Sequence, residues 1–280
     1  MIKLVLSDMD NTLNPAGSPH VSERTFAAIH GLLDAGIKFG PSSGRDHDGL
    51  TRFFCGDEAC YQTGVLLNGK LVQVDGEAIS MHYISNDALG RLVDAVRDVE
   101  EAFVICDLSH DTLYESICIE STPEQLLWAQ RVTGNMVTWS DHVPEKPIIA
   151  AVLAVSEESG RGEELRERLA REIPELDLVE SMPGWYDVLP HGVNKASGLR
   201  TLADALGIGL DEVVVFGDSE NDREMLELVP YAVTVANAMP AVYAMTRYHV
   251  GACADDGVAI AMEEIVRAQA AGEVPSFLRG

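Results

Sequence analysis

Ile2-Lys3-Leu4-Val5-Leu6-Ser7-Asp8-Met9-Asp10-Asn11-Thr12 opens the chain with an apolar run that stops abruptly at polar residues. A short apolar run bounded by turn-forming residues predicts a buried strand, here over residues 2–6. Ser22 suits the N-cap of a helix over Glu23 to Ala35, whose Phe26, Ile29, Leu32 and Leu33 recur at helical spacing, and Gly36 ends it. Ile37 to Pro41 reads as a second strand, running into Ser42-Ser43-Gly44-Arg45 and a further helix. Strand, helix, strand, helix is the pattern of a parallel sheet with crossovers.

The same alternation returns near the end. Helices are predicted over Lys195 to Leu206, Asp222 to Leu228, Pro240 to Met245 and Gly257 to Ala268, and strands over Glu212 to Phe216, Tyr231 to Val235 and Tyr248 to Val250. The middle differs in composition. Helical patterns over Asn86 to Val99, Pro123 to Val132 and Gly160 to Glu172 are interleaved with β-rich runs at Phe103 to Cys106, Leu113 to Ile119 and Ile148 to Val155. The expected architecture is therefore an α/β, Rossmann-like parallel-sheet core formed by residues 1–75 and 184–280, interrupted by an α+β domain over residues 76–183. The tail after Ala270 is expected to fray.

Composition removes whole classes of function. With 20 basic and 45 acidic residues the formal charge is −25, and no run of basic residues is present. A nucleic-acid partner needs a basic stripe to displace counterions, so none is expected. An anionic substrate would need positive charge supplied locally. The five cysteines, Cys55, Cys60, Cys106, Cys118 and Cys253, are odd in number and lack metal-ligand spacing. Reduced thiols in a cytoplasmic protein are the expectation. Charged residues come too early for a signal peptide, and the longest apolar stretch, Ile148 to Val155, is too short to span a membrane.

Asp8 and Asp10 follow the first strand, at the carboxyl edge where such sheets bind ligands. Two carboxylates one residue apart can divide labour, one attacking phosphorus and the other handling the leaving group's proton. The same residues also make a good turn or cap. Gly217-Asp218-Ser219-Glu220-Asn221-Asp222 sits after another predicted strand, and its oxygen ligands suit magnesium; a solvated helix start reads the same way. Ser42-Ser43-Gly44-Arg45 offers a hydroxyl and backbone N–H groups for a phosphate oxygen, or is ordinary loop. Lys195 stands in a helix's first turn, where a lone lysine is usually solvated, although a cation that opposes the macrodipole there slightly raises the odds of a function.

Taken in order, these four segments resemble the signature motifs of the haloacid dehalogenase-like hydrolase superfamily. The likeness extends through Val235-Ala236-Asn237-Ala238 and Asp255-Asp256-Gly257-Val258 to its Cof-type branch, which carries a large α+β cap. The resemblance implies Asp8 as nucleophile, Asp10 as general acid and base, Ser43 as the phosphate-holding hydroxyl and Lys195 as the neutralising cation. It implies Mg²⁺ held by Asp8, the backbone carbonyl of Asp10, and Asp218, with Asp222 completing the acidic loop. N–H groups near Met9 and Gly44 are expected at the phosphate, Arg45 is the candidate for a substrate anion because it follows the phosphate-binding turn, and Asn221 of the acidic loop is the remaining candidate substrate contact. The reaction so implied is hydrolysis of a small phosphorylated metabolite through an aspartyl phosphate, with a phosphomutase or a non-catalytic phosphometabolite sensor as alternatives.

Two departures from the family pattern stand out: Thr63-Gly64 where relatives read Asn-Gly after the third strand, and Val235-Ala236 where they read Met-Gly. In the inserted segment, Trp128, Trp139, Tyr114, His110 and His142 are candidate sugar contacts, with core or surface roles the plainer reading. The sequence does not distinguish a monomer from a homodimer.

Overall fold

The computed structural model describes residues 1–108, 115–133 and 136–279. It divides into two compact units, Met1–Met81 with Asn194–Gly280, and His82–Val193. The first unit begins with β1 (Leu4–Ser7), α1 (Glu23–Asp34), β2 (Lys38–Pro41), α2 (His47–Phe53), β3 (Gly64–Leu66), β4 (Leu71–Val74) and β5 (Glu77–Met81). The second unit holds α3 (Asn86–Val96), β6 (Ala102–Leu108), β7 (Glu115–Ile119), α4 (Pro123–Thr133), β8 (Val137–Ser140), β9 (Ile148–Val155), α5 (Gly162–Glu172), β10 (Leu176–Met182) and β11 (Trp185–Pro190). The chain then re-enters the first unit with α6 (Lys195–Leu206), β12 (Val213–Gly217), α7 (Arg223–Leu228), β13 (Tyr231–Val235), α8 (Pro240–Tyr243), β14 (Tyr248–Val250) and α9 (Gly257–Ala271).

The main sheet of the first unit runs β14-β13-β12-β1-β2, parallel throughout. Its strands are apolar on both faces because helices cover both. Val5 joins a core with Ala28, Ile29 and Leu32 of α1 and Val258 and Met262 of α9. Leu4 and Leu6 point the other way, into a core with Leu199 and Leu202 of α6 and Met225 of α7. From β1 the chain passes to β2 on one side, and later to β12 on the other. The carboxyl ends of β1 and β12 thus flank a topological switch point, where α/β sheets place their ligands.

In the second unit the sheet order is β10-β11-β9-β6-β7-β8. Neighbouring strands are antiparallel except β7 and β8, which α4 joins as a parallel crossover. One face packs on α3 and α5 through Leu89, Leu92, Leu165 and Leu169. The other carries Phe103, Ile105 and Cys118 beneath α4, with Trp128 edge-on to Phe103 at 5.2 Å. The whole is an α/β fold with a Rossmann-like parallel-sheet core and an inserted mixed unit.

Several expectations shift. The boundaries lie at 81/82 and 193/194 rather than 75/76 and 183/184. Residues 71–81 form a small antiparallel sheet with β3, which keeps them in the first unit. Trp185–Pro190, assigned to the core from sequence, pairs with β9 and β10 instead. The tail does not fray: Leu278 is buried in the first core and Phe277 packs on Phe216. Trp128 is half-buried, Trp139 is exposed, and His142 is exposed beside Asp141. His110, Tyr114 and the expected strand start at Leu113 lie outside the described residues. Among the described residues no helix is long and apolar enough to cross a membrane.

Candidate active site

Asp8 continues the β1 ladder by one residue, its N–H donating to Phe216 O at 3.0 Å, and its carboxylate is buried. The chain then turns tightly: the N–H groups of Leu13 and Asn14 both donate to Met9 O, and Asn11 takes a left-handed φ of 62°. Met9 sends its side chain into the core, so only its backbone is available to a ligand. On the neighbouring strand, Ser42 N donates to Ser7 O at 2.8 Å, which sets the Ser43-Gly44-Arg45 turn beside Asp8.

The cation arrives from α6. Asn194 caps this helix reciprocally with Ser197, so Lys195 occupies its first position. Its ammonium donates to Asp8 Oδ1 and to Asp222 Oδ1, both at 2.6 Å, and the side chain is only 1% exposed. Two buried carboxylates more than offset the unfavourable placement of a cation in the first turn.

Asp218 and Asp222 belong to the turn after β12. Asp222 Oδ2 accepts from the N–H groups of Asp218 at 3.0 Å and Ser219 at 3.2 Å. A Cβ on Gly217 would sit 2.7 Å from that of Asp222, so only glycine lets this carboxylate fold beneath the strand end. Asp222 thus spends both oxygens, one on Lys195 and one on its own turn. Asp218 Oδ1 accepts from Thr12 Oγ1 at 2.6 Å. Asn221 Oδ1 accepts from Ser219 Oγ at 2.9 Å, and this side chain bonds none of the other predicted site residues.

Carboxylate oxygens of Asp8, Asp218 and Asp222 all lie within 4.8 Å of one another. Burial, opposed by Lys195 and reinforced by the charges of Asp222 and Asp218, pushes the Asp8 carboxyl up to about 8. Burial likewise raises Asp218 to about 6, against the Thr12 hydrogen bond and with Asp222 adding to it. Burial would depress Lys195, but Asp222 and Asp8 reverse the sign and hold it above the ordinary lysine range. Three carboxylates against one ammonium leave an excess of negative charge among hard oxygen donors. That is a donor set a divalent ion such as Mg²⁺ fits.

Asp10 points elsewhere. Its carboxylate is gripped by Arg45 in a two-pronged pair, Nε to Oδ2 at 3.0 Å and Nη2 to Oδ1 at 2.8 Å. The guanidinium also lies over the Phe53 ring, 4.9 Å from its centroid. Arg45 N donates to Ser43 Oγ at 3.1 Å. Arg45, the candidate for a substrate anion, has its fork on Asp10 in this structure.

Four contributors were missed. Thr12 was quoted within the first motif but given no part. Asn68 and Gly69 follow the third strand, Gly64–Leu66. Thr63 stands just before that strand and Gly64 opens it. Asn68 N donates to Ser43 O at 2.9 Å, and its side chain stands against Gly44. Gly69, at φ 95°, touches Asn194 O where a Cβ would collide, which admits the start of α6. Asn237 donates to Asn11 O at 2.7 Å and accepts from Cys253 N, tying the loop after β13 to the Asp10 turn.

The chain is similar to known proteins. The chain is 29% identical to YxeH of Bacillus subtilis (strain 168) over 288 residues, 96% of this chain and 100% of YxeH. It is 26% identical over 272 residues to the 5-amino-6-(5-phospho-D-ribitylamino)uracil phosphatase YbjI of Escherichia coli (strain K12), covering 96% of this chain and 98% of YbjI. The solved structure of SMU.1108c from Streptococcus mutans UA159 superposes with a TM-score of 0.83 at 18% identity, covering 95% of this chain and 100% of that one, a likeness of fold. Residues 5–262, nearly the whole length, match the family model for haloacid dehalogenase-like hydrolases: the chain belongs to that family.

Proposed function

We propose that this hydrolase is a magnesium-dependent phosphatase, releasing phosphate from small phosphorylated metabolites through an aspartyl phosphate on Asp8. The observation that carries the reading is Lys195, a buried ammonium shared between Asp8 and the anchoring Asp222. A cation so placed neutralises the nucleophile and an arriving phosphoryl group together, which is most of what phosphoryl transfer asks of a protein. Asp8, the Asp10 carbonyl and Asp218 would hold Mg²⁺, which when bound supplies charge neutralisation at the phosphoryl oxygens.

The chain's own residues then divide the work. Asp8 attacks phosphorus; the ester oxygen departs as Asp10 gives it a proton. Asp10 next takes a proton from water, which attacks the aspartyl phosphate and frees phosphate and Asp8. Arg45 orients the Asp10 carboxylate through its fork. Ser43 and the N–H groups of Met9 and Gly44 would position phosphate oxygens, with Asn221 at the margin. Sugar phosphates and similar phosphomonoesters are the substrate class, in keeping with the substrate named for YbjI. The free cysteines suit a reducing cytoplasm. Selectivity among leaving groups is assigned to His82–Val193, inserted between the serine and lysine motifs.

The test is phosphate release from a panel of phosphorylated metabolites, with Mg²⁺ and after chelation. Activity is expected only with the metal, and Asp10→Asn should lower kcat about 10²–10⁴-fold. Transfer of phosphate between substrate hydroxyls without release would instead indicate a mutase, and binding without turnover a sensor. Full activity in metal-free buffer would overturn the magnesium assignment.

A further inference from the structure

A second cluster of metal-ligating side chains lies in the same unit, built from residues that the reaction does not use. His30 projects from α1, and Asp57 and Cys60 belong to the short turn after α2 (Glu58–Cys60). Their donor atoms, an imidazole nitrogen, a carboxylate oxygen and a thiol sulfur, all lie within 4.8 Å of one another. His30 Nε2 is 2.6 Å from Asp57 Oδ2, and the Cys60 thiol hydrogen-bonds the same carboxylate.

Asp57 occupies the N-cap position of its turn yet makes no capping bond there; its side chain faces His30 and Cys60 instead. An aspartate in that position ordinarily caps, so the turn forgoes a contact to bring three different donors together. Cys60 is fully buried and forms the floor, while the half-exposed His30 and Asp57 leave the open side to solvent. Burial first, and then Asp57, push the thiol up to about 12, so in the absence of a metal it stays protonated and inert.

Sulfur and imidazole together select a softer ion than the all-oxygen set around Asp8. Three ligands with a fourth position open to water is the plan of a tetrahedral zinc-type site, whose ligand atoms stand roughly 3.5 Å apart. An exposed imidazole can make that adjustment by rotation.

We infer that His30, Asp57 and Cys60 form a binding site for a thiophilic divalent ion of the zinc class, independent of the magnesium site. On binding, the Cys60 S–H proton passes to solvent and the thiolate, imidazole nitrogen and carboxylate oxygen become ligands. The ion fastens α1 to the turn that follows α2, the helix that starts just beyond the Ser43-Gly44-Arg45 turn.

The test uses chelator-treated full-length protein with Mg²⁺ in excess, titrated with Co²⁺ as a spectroscopic stand-in for zinc. One equivalent should produce thiolate-to-cobalt charge-transfer absorption, which oxygen ligands cannot give, and Zn²⁺ should raise Tm. Cys60→Ser should abolish the absorption. His30→Ala, at an exposed position that leaves folding intact, should weaken Co²⁺ binding more than about 100-fold, beyond what loss of a supporting group costs. Both variants should keep their Mg²⁺-dependent phosphatase activity, and Asp218→Asn should keep the absorption. No charge-transfer band in the parent protein would overturn the inference. So would a band that survives Cys60→Ser, follows the exposed Cys55, or vanishes with Asp218→Asn. Failure of the phosphatase reading would leave the cobalt result untouched.

Discussion

In the inserted unit Arg97 reaches Asp94 at 2.7 Å and Glu120 at 2.6 Å, Arg91 reaches Glu175 and Arg166 reaches Glu163, all at the surface. In the sheet unit Lys195, Asp8, Asp218 and Asp222 make contacts as short, but inside the protein. Among the described residues, Ser116 alone of the buried polar and charged side chains belongs to the inserted unit. Burying an ion costs several kcal/mol even when it is paired, whereas an exposed pair costs little and contributes little. One unit is therefore an ordinary apolar core wrapped in solvated charge. The other tolerates a charge excess at one sheet edge, and the place where stability is sacrificed is the place where a phosphoryl group would react.

Breaking the buried set should have the largest effect. Asp8→Asn removes the nucleophile and should abolish turnover while the protein keeps a cooperative thermal transition. A folded variant retaining a substantial fraction of wild-type kcat would sink the nucleophile assignment.

Next comes Lys195→Ala, which strands Asp8 and Asp222 in the interior. Loss of one partner from a buried pair typically costs about 3–5 kcal/mol, so urea unfolding should shift by that amount and activity should disappear. A shift under about 1 kcal/mol, the scale of an exposed pair, would mean that the ammonium does not hold this edge together.

A smaller change tests the support of the lysine. Gly69→Ala puts a methyl against Asn194 O and forces an alanine to φ near 95°. Overpacking of this kind costs about 1–3 kcal/mol, and kcat should fall because Lys195 follows Asn194 directly. Unchanged kcat with lowered stability would separate that contact from the chemistry.

At the small end, Arg97→Ala in the inserted unit loses, among the described residues, exposed pairs to Asp94 and Glu120. Tm and kcat should both stay within error of the parent. A marked loss of stability there would erase the contrast between the units.

Much of the parallel sheet was legible because its signals are local. Tyr231–Val235 is a short apolar run between turn residues, and Lys195–Leu206 is bounded by its Asn194 cap and by Gly207 in the left-handed conformation. β11 was not legible as part of the inserted unit. Trp185–Pro190 alternates like any half-buried strand, and only its pairing with β9 and β10 says which sheet it joins. Asn68 and Gly69 were not legible either, since their contacts with Ser43 and Asn194 join distant parts of the chain. The buried Leu278 depends on a contact with a core built by the rest of the chain.

By itself the sequence determined the kinds of groups available and their order: acids after β1 and β12, a hydroxyl turn after β2, and a lysine opening a capped helix. Those are properties of neighbouring residues, which spacing and propensity can read. Only the tertiary structure decided that Lys195 meets Asp8 across 187 positions of chain, that Arg45 grips Asp10 and that His30 meets Cys60. Ionisation and ligand strength depend on distance and burial. Both are settled when the sheet closes and the helices cover it, so the charge state of Asp8 is a property of the fold and not of the motif that contains it.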